Sequence, residues 1–252
     1  MSDILTHIDH GIATITLNRV DKKNAFTAAM YADMARFMEQ VAQEDGVRVL
    51  VFQGHPTVFS AGNDIADFLH HPPSTPEAPV FRFLEQISTF PKPVVAAVAG
   101  PAVGIGTTML LHCDLVYAGD NAAFSMPFVN LGLCPEAACS LLAPLRMGHA
   151  RASEALLLGE PFLADAALEM GVVNRIVAPV EVNAYAQAQA ARLAAKPLSS
   201  LIETKRLLKA DLQPAIAARM AEEATVFARM LREPAAREAF AAFMEKRPPQ
   251  FH

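Results

Sequence analysis

Apolar and polar positions alternate along the first part of the chain. Ile4-Leu-Thr-His-Ile8 and Ile12-Ala-Thr-Ile-Thr-Leu17 flank His10-Gly11, and this two-residue period predicts a β-hairpin. The period then changes. Met30, Met34, Phe37, Met38 and Val41 share one face of a helix that Thr27 can cap and that ends near Gly46. Val47-Arg-Val-Leu-Val-Phe52, closed by Gly54, reads as a buried strand. Pro72, Pro73, Pro76 and Pro79 mark a loop or a mobile segment, and a helix follows around Val80–Thr89.

Val94-Val-Ala-Ala-Val-Ala99 is a further strand, running into Gly100-Pro-Ala-Val-Gly104-Ile-Gly106 and a helix through Leu111. Leu115-Val-Tyr117 and Ala123-Phe124 supply more short strands. From Ala150 the pattern is almost wholly helical apart from Val172-Val-Asn-Arg-Ile-Val177. Strands alternating with helices imply an α/β domain over residues 1–194, and the Ala-rich remainder, 195–252, reads as a helical region.

Composition narrows the function classes. Of 252 residues, 52% are hydrophobic and 19% charged, which excludes disorder and leaves room for a substantial core. A net charge of −5 argues against a nucleic-acid partner, so affinity for an anionic ligand must come from local groups. No apolar run reaches the ~18 residues of a membrane span. The stretch around Asp3 and Asp9 lacks the apolar core of a signal peptide, and Pro-Gln-Phe-His252 does not match the Ser-Lys-Leu peroxisomal address. Cys113, Cys134 and Cys139 form no CxxC pair and read as buried thiols, so a cytoplasmic location is expected.

Candidate chemistry centres on Leu131-Gly-Leu-Cys-Pro-Glu136-Ala-Ala-Cys139, a nearly uncharged run with a single carboxylate. Apolar neighbours disfavour its charged form and raise its pKa toward the range useful for moving protons. The bland alternative is a solvated turn residue after Pro135. Phe59-Ser-Ala-Gly-Asn-Asp-Ile65 is either an ordinary loop with a capping Asp64, or a close backbone approach that presents the Asn63 N–H to a ligand. Gly100–Gly106 either packs a strand tightly on a helix or brings the Ile105 N–H to a ligand oxygen. Its G-x-x-x-G-x-G order departs from the dinucleotide-binding turn. His112-Cys113-Asp114 has no metal-ligand spacing, so no metal is expected. Ser60 stands in no G-x-S-x-G elbow, His70-His71 reads as solvated, and Lys22-Lys23 as a solvated turn able to meet phosphates.

Together these motifs resemble the crotonase superfamily of enoyl-CoA hydratases and isomerases along nearly the whole chain. Leu17-Asn-Arg-Val-Asp-Lys-Lys-Asn-Ala25 is similar to its N-terminal signature, and Phe59–Ile65 and Val98–Ile105 to its two oxyanion-hole loops. Cys113–Ala118 and Ala241–Arg247 also match. The resemblance implies a spiral of ββα units, a C-terminal helical trimerisation region, a homotrimer or dimer of trimers, and an acyl-CoA ligand with no separate cofactor. It implies that the Asn63 and Ile105 N–H groups hold the thioester oxygen. Lys23, Ala25, Ala61, Asp64, Ile65 and Phe128 would line the substrate and CoA site. Phe243 and Lys246 would meet CoA from a neighbouring subunit.

Hydratases of this superfamily carry two glutamates, where this chain has Thr108 and Phe128. Ser60–Asp64 and Pro127–Ala137 instead resemble the peroxisomal-type Δ3,Δ2-enoyl-CoA isomerases, in which the acid matching Glu136 is the catalytic base. That resemblance implies double-bond migration by one carboxylate. A hydratase-type lyase, or a non-catalytic acyl-CoA-binding protein, is the alternative.

Overall fold

In a computed structural model that describes residues 2–70, 75 and 77–251, the chain begins with the expected hairpin. Strand β1 (Ile4–Asp9) pairs antiparallel with β2 (Ile12–Leu17). Helix α1 (Ala28–Gln43) follows; Thr27 Oγ1 accepts the Met30 N–H at 3.2 Å, the cap its sequence predicts. Its buried face carries Met30, Met34, Phe37, Met38 and Val41, and adds Tyr31. Each large side chain buried here contributes about 1.5–3 kcal/mol.

Strand β3 (Val49–Gln53) starts two residues later than the apolar run suggests. Short helix α2 (Ile65–His70) and α3 (Pro79–Thr89) come next; Pro79 takes the first helical position, where its missing N–H costs nothing. His71, Pro72, Pro73 and Pro76 lie outside the described residues.

Strand β4 (Val94–Val98) is buried along its length. The large sheet also contains β6 (Leu115–Gly119) and β9 (Arg175–Val177), in the order β1-β2-β3-β4-β6-β9 and parallel from β2 onward. One face, with Ile15, Phe52, Ala96 and Val98, packs into the main core beside α1 and α3. The other, with Val49, Val51, Val95 and Ala97, is covered by Val182, Ala186 and Ala190 of α8 (Val182–Ala194). Covering on both faces explains why these strands read as continuous apolar runs.

A second sheet sits beside the first. The expected glycine loop holds β5 (Pro101–Val103), which pairs with β7 (Ala123–Ser125), itself paired with β8 (Phe162–Leu163). The chain leaves β4 through Gly100, at φ +66°, where an added Cβ would lie 2.1 Å from the Thr57 carbonyl oxygen. Only glycine fits that switch between sheets. The helix expected through Leu111 is α4 (Ile105–Thr108) followed by a 3-10 turn at Met109–His112. Strand β8 interrupts a region whose pattern reads as helix, because two residues are too short to set a period and the pairing partner decides.

The remaining helices are α5 (Cys139–Met147), α6 (His149–Leu157), α7 (Ala164–Glu169), α9 (Leu198–Lys209), α10 (Gln213–Met230) and α11 (Pro234–Glu245). Ile216 of α10 and Phe240 of α11 join the main core. The thiols of Cys113 and Cys139 are buried and that of Cys134 is half-buried. Among the described residues no helix is long and apolar enough to cross a membrane.

Candidate active site

Three chain segments meet at the site, and backbone pairing joins two of them. The Ser60 N–H donates to Pro101 O at 3.0 Å and the Val103 N–H to Ser60 O at 2.9 Å, so the two glycine-containing loops form one short parallel ladder. Gly62, at φ +86°, lies so close that a Cβ there would meet Val103 O at 2.8 Å. On its other side this loop pairs with Phe26: the Phe26 N–H donates to Gly62 O at 2.7 Å and the Asp64 N–H to Phe26 O at 2.9 Å. Peptide groups alternate sides along an extended strand, so the Asn63 N–H faces away from Phe26. Among the described residues the Asn63 and Ile105 N–H groups donate to no protein acceptor.

Both residues line a cavity of about 740 Å³. Lys23, Ala25, Ala61, Asp64, Ile65, Phe128, Glu136 and Phe243 line it too. Lys246 does not; it ends α11 in the left-handed conformation and is exposed. Phe243 reaches the cavity from its own chain while remaining 59% exposed at the mouth. The cavity continues past Glu136 into a chamber of about 440 Å³. Asn63, Phe68, Glu136 and Phe227 border both spaces, and Val80, Phe81 and Leu84 with Met220 and Ala224 give the chamber apolar walls from α3 and α10.

Glu136 is half-buried as a residue, yet its Oε1 is shut off from solvent and finds no hydrogen-bond partner. Burial, reinforced by the charge of Glu223, pushes its pKa up to about 8. A carboxyl without donors has nothing to favour its ionised form. The Asp64 carboxyl in the same cavity is the opposite case. Burial alone would raise it, but Arg19, at 2.7 Å, and the Asp67 and Ala66 N–H groups hold it below the usual carboxylate range. Asp64 therefore stays charged and caps α2, as its position suggests.

Further residues shape the site, and of these Tyr31, Asn24 and Arg19 do not stand out in the sequence as site residues. Tyr31 donates its hydroxyl to Asn63 Oδ1 at 2.6 Å, fixing that side chain at the junction of cavity and chamber. Burial and the nearby Glu136 raise the Tyr31 pKa well above its ordinary value, so it remains a donor. Asn24 is wholly buried at φ +52°, a conformation Asn tolerates better than most residues. Its Nδ2 donates to Phe59 O at 3.0 Å and its carbonyl accepts the Ser60 hydroxyl at 2.9 Å, stapling the N-terminal segment to the first loop. Arg19 and Lys22 bring positive charge to the wall beside Lys23. Thr108 is buried with its hydroxyl unpartnered, outside the cavity lining, and Phe128 occupies the cavity wall with its ring largely buried.

This arrangement can hold an oxygen that gains negative charge, and it can accept and return a proton in a water-poor space. Comparison with known proteins agrees with that chemistry. The family described as Enoyl-CoA hydratase/isomerase matches residues 7–252. The chain is 34% identical to 1,2-epoxyphenylacetyl-CoA isomerase of Escherichia coli (strain K12), covering all of this chain and 98% of that one. It is 36% identical to Enoyl-CoA delta isomerase 2 of Rattus norvegicus, over 97% of this chain and 64% of that one. A crystal structure of an enoyl-CoA hydratase/isomerase from Pseudoalteromonas atlantica T6c superposes with a TM-score of 0.95 at 37% identity, covering all of both chains. The fold is the crotonase fold, and the chain belongs to the enoyl-CoA hydratase/isomerase family.

Proposed function

We propose that this protein is a Δ3,Δ2-enoyl-CoA isomerase whose single proton carrier is Glu136. The observation that carries the reading is the Glu136 carboxyl, enclosed and free of hydrogen-bond donors at Oε1, lining the same cavity as the Asn63 and Ile105 N–H groups, which are unpaired among the described residues. A 3-enoyl thioester enters with its oxygen on the Asn63 and Ile105 N–H groups. Glu136 takes a proton from C2, whose carbanion is delocalised into both the thioester and the C3–C4 alkene. Charge develops on the thioester oxygen, where each N–H donor stabilises the transition state by about 3–4 kcal/mol. Glu136, now protonated, returns the proton to C4 and leaves the 2-enoyl product.

A pKa near 8 suits a group that must both accept and release a proton near neutral pH. Hydration needs a second group to activate water. The two positions where hydratases carry glutamates are Thr108 and Phe128, and the Phe128 ring fills space that a water would need. Arg19, Lys22 and Lys23 offer charge to the CoA phosphates at the mouth, and the apolar chamber behind Glu136 receives the acyl tail. Exposed Leu207 and Leu208 on α9 offer apolar surface for the trimer that the family likeness implies. Sedimentation velocity tests that assembly directly.

Purified protein is assayed with 3-enoyl-CoA and 2-enoyl-CoA substrates, beside Glu136→Gln. Wild type converts the 3-enoyl thioester, and Glu136→Gln loses about 10³-fold in kcat while keeping acyl-CoA affinity. Consumption of the 2-enoyl substrate alone makes the protein a hydratase. Wild-type turnover by Glu136→Gln removes Glu136 from the mechanism.

A further inference from the structure

We propose that Glu223 is a positioning residue for Glu136: from α10 its carboxylate grips the N–H groups of Ala138 and Ser140 and fixes the turn that aims the Glu136 carboxyl into the cavity. The proposal rests on Glu136 being the base. Ala137 and Ala138, directly after Glu136, stand at φ +58° and +54°. A left-handed conformation costs a residue with a Cβ about 1–2 kcal/mol, so two in succession persist only where the surroundings over-determine them.

The surroundings do. Ala138 begins α5 but supplies no side-chain cap of its own. Glu223, only 6% exposed, replaces it from 85 residues away. Its Oε2 accepts the Ala138 N–H at 2.6 Å, and its Oε1 accepts the Ser140 N–H at 3.1 Å and the Ser140 hydroxyl at 2.5 Å. Arg219, one turn earlier on α10, donates to the same Ser140 hydroxyl at 3.0 Å and is itself paired with Glu222. From the opposite side His112 holds the Ala137 carbonyl at 2.8 Å. Burial pushes His112 down to about 4, so near pH 7 its single ring proton sits on Nε2 and donates to that carbonyl. The turn is gripped at its carbonyl by one element and at its amides by another.

The same geometry makes Glu223 an electrostatic neighbour. Tyr31, Cys134 and Cys139, the other titratable groups around the two carboxyls, are all shifted upward by burial and stay protonated near neutral pH. Burial raises the pKa of Glu223 as well, but its three donors and Arg219 offset part of that rise, whereas Glu136 has no donor at Oε1. Glu223 therefore ionises first, and its charge holds the Glu136 proton on to higher pH.

Glu223→Gln keeps the shape, removes the charge and sets an amide donor against backbone donors. The pH profile of kcat/KM for 3-enoyl-CoA is measured for wild type, Glu223→Gln, Glu223→Asp and Glu223→Gln/Ala138→Gly, with Glu136→Gln in parallel. Glu223→Gln is expected to move the acid limb to lower pH. It lowers kcat about 10- to 100-fold, the scale of a misplacement of about 1 Å, with KM little changed. Glu223→Asp restores the limb toward wild type. Glycine adopts the left-handed conformation freely, so the double variant recovers kcat but not the limb. An unmoved limb in folded Glu223→Gln overturns the proposal, as does a limb in folded Glu223→Asp that stays with that of Glu223→Gln, or a kcat that does not fall in Glu223→Gln or falls and does not recover in the double variant. An inactive Glu136→Gln beside such a result leaves the isomerase reading standing. An active Glu136→Gln overturns both.

Discussion

The two walls of the cavity are built by different means. The wall that offers Asn63 and Ile105 is backbone paired to backbone: Ser60 to Pro101 and Val103, Gly62 and Asp64 to Phe26. The wall that offers Glu136 is a turn of two left-handed alanines held by side chains from distant elements, Glu223 on α10 and His112 before β6. A hydrogen-bonded ladder sets where peptide groups point whatever side chains it carries, provided the close approaches stay free of Cβ atoms. A side-chain clamp depends on each member. One wall is rigid by construction, and the other is tuned residue by residue.

This contrast can be attacked from both sides. The largest expected effect is on stability at the tuned wall. A carboxyl whose pKa rises from 4.5 unfolded to about 8 folded prefers to stay protonated in the native state, so its ionisation destabilises the fold as pH rises through that window. Glu136→Gln should therefore be more stable than wild type by on the order of 4 kcal/mol at pH 8, with most of the gain gone at pH 5. Chemical denaturation at the two pH values measures it, and an equal gain at both would remove the buried ionisation as its cause.

At the ladder wall, Gly62→Ala brings a Cβ to 2.8 Å from Val103 O at a φ of +86°. It is expected to cost about 10²-fold in kcat by displacing the Asn63 N–H, against a small change in KM. Retained kcat would mean that the ladder is not what sets the donors. Tyr31→Phe leaves Asn63 Oδ1 without its donor and should lower kcat/KM about 5- to 10-fold, corresponding to about 1–1.5 kcal/mol. The smallest effect is expected from Val103→Ala. Val103 serves the ladder through its N–H, so kcat should stay within about twofold while thermal stability falls slightly.

Legibility in the sequence follows the same division. Loops rich in glycine and small residues announce a backbone that must come close to something, so Asn63 and Ile105 could be singled out. Glu136 stood out because its surroundings are apolar. The hairpin, α1 and β4 could be read because one continuous face or run decided them. Glu223 could not. It adjoins Glu222 on an amphipathic helix and reads as a solvated acid until α5 packs against it. Tyr31 is hidden in an apolar stripe, and Arg19 and Asn24 act on partners 45 and 35 residues away. Strand β7 could be read at Ala123-Phe124, but β8 and the pairing that makes the small sheet escaped for a related reason, since a two-residue strand exists only through its neighbour.

Because Ser60 and Val103 are joined main chain to main chain, the spacing between the Asn63 and Ile105 amides is set by backbone hydrogen bonds rather than by side chains. Such a spacing does not depend on the side chains of the opposite wall. On the proposed function, an acid placed at position 128, or the loss of the one at 136, would alter the proton chemistry in the cavity while leaving that backbone spacing in place.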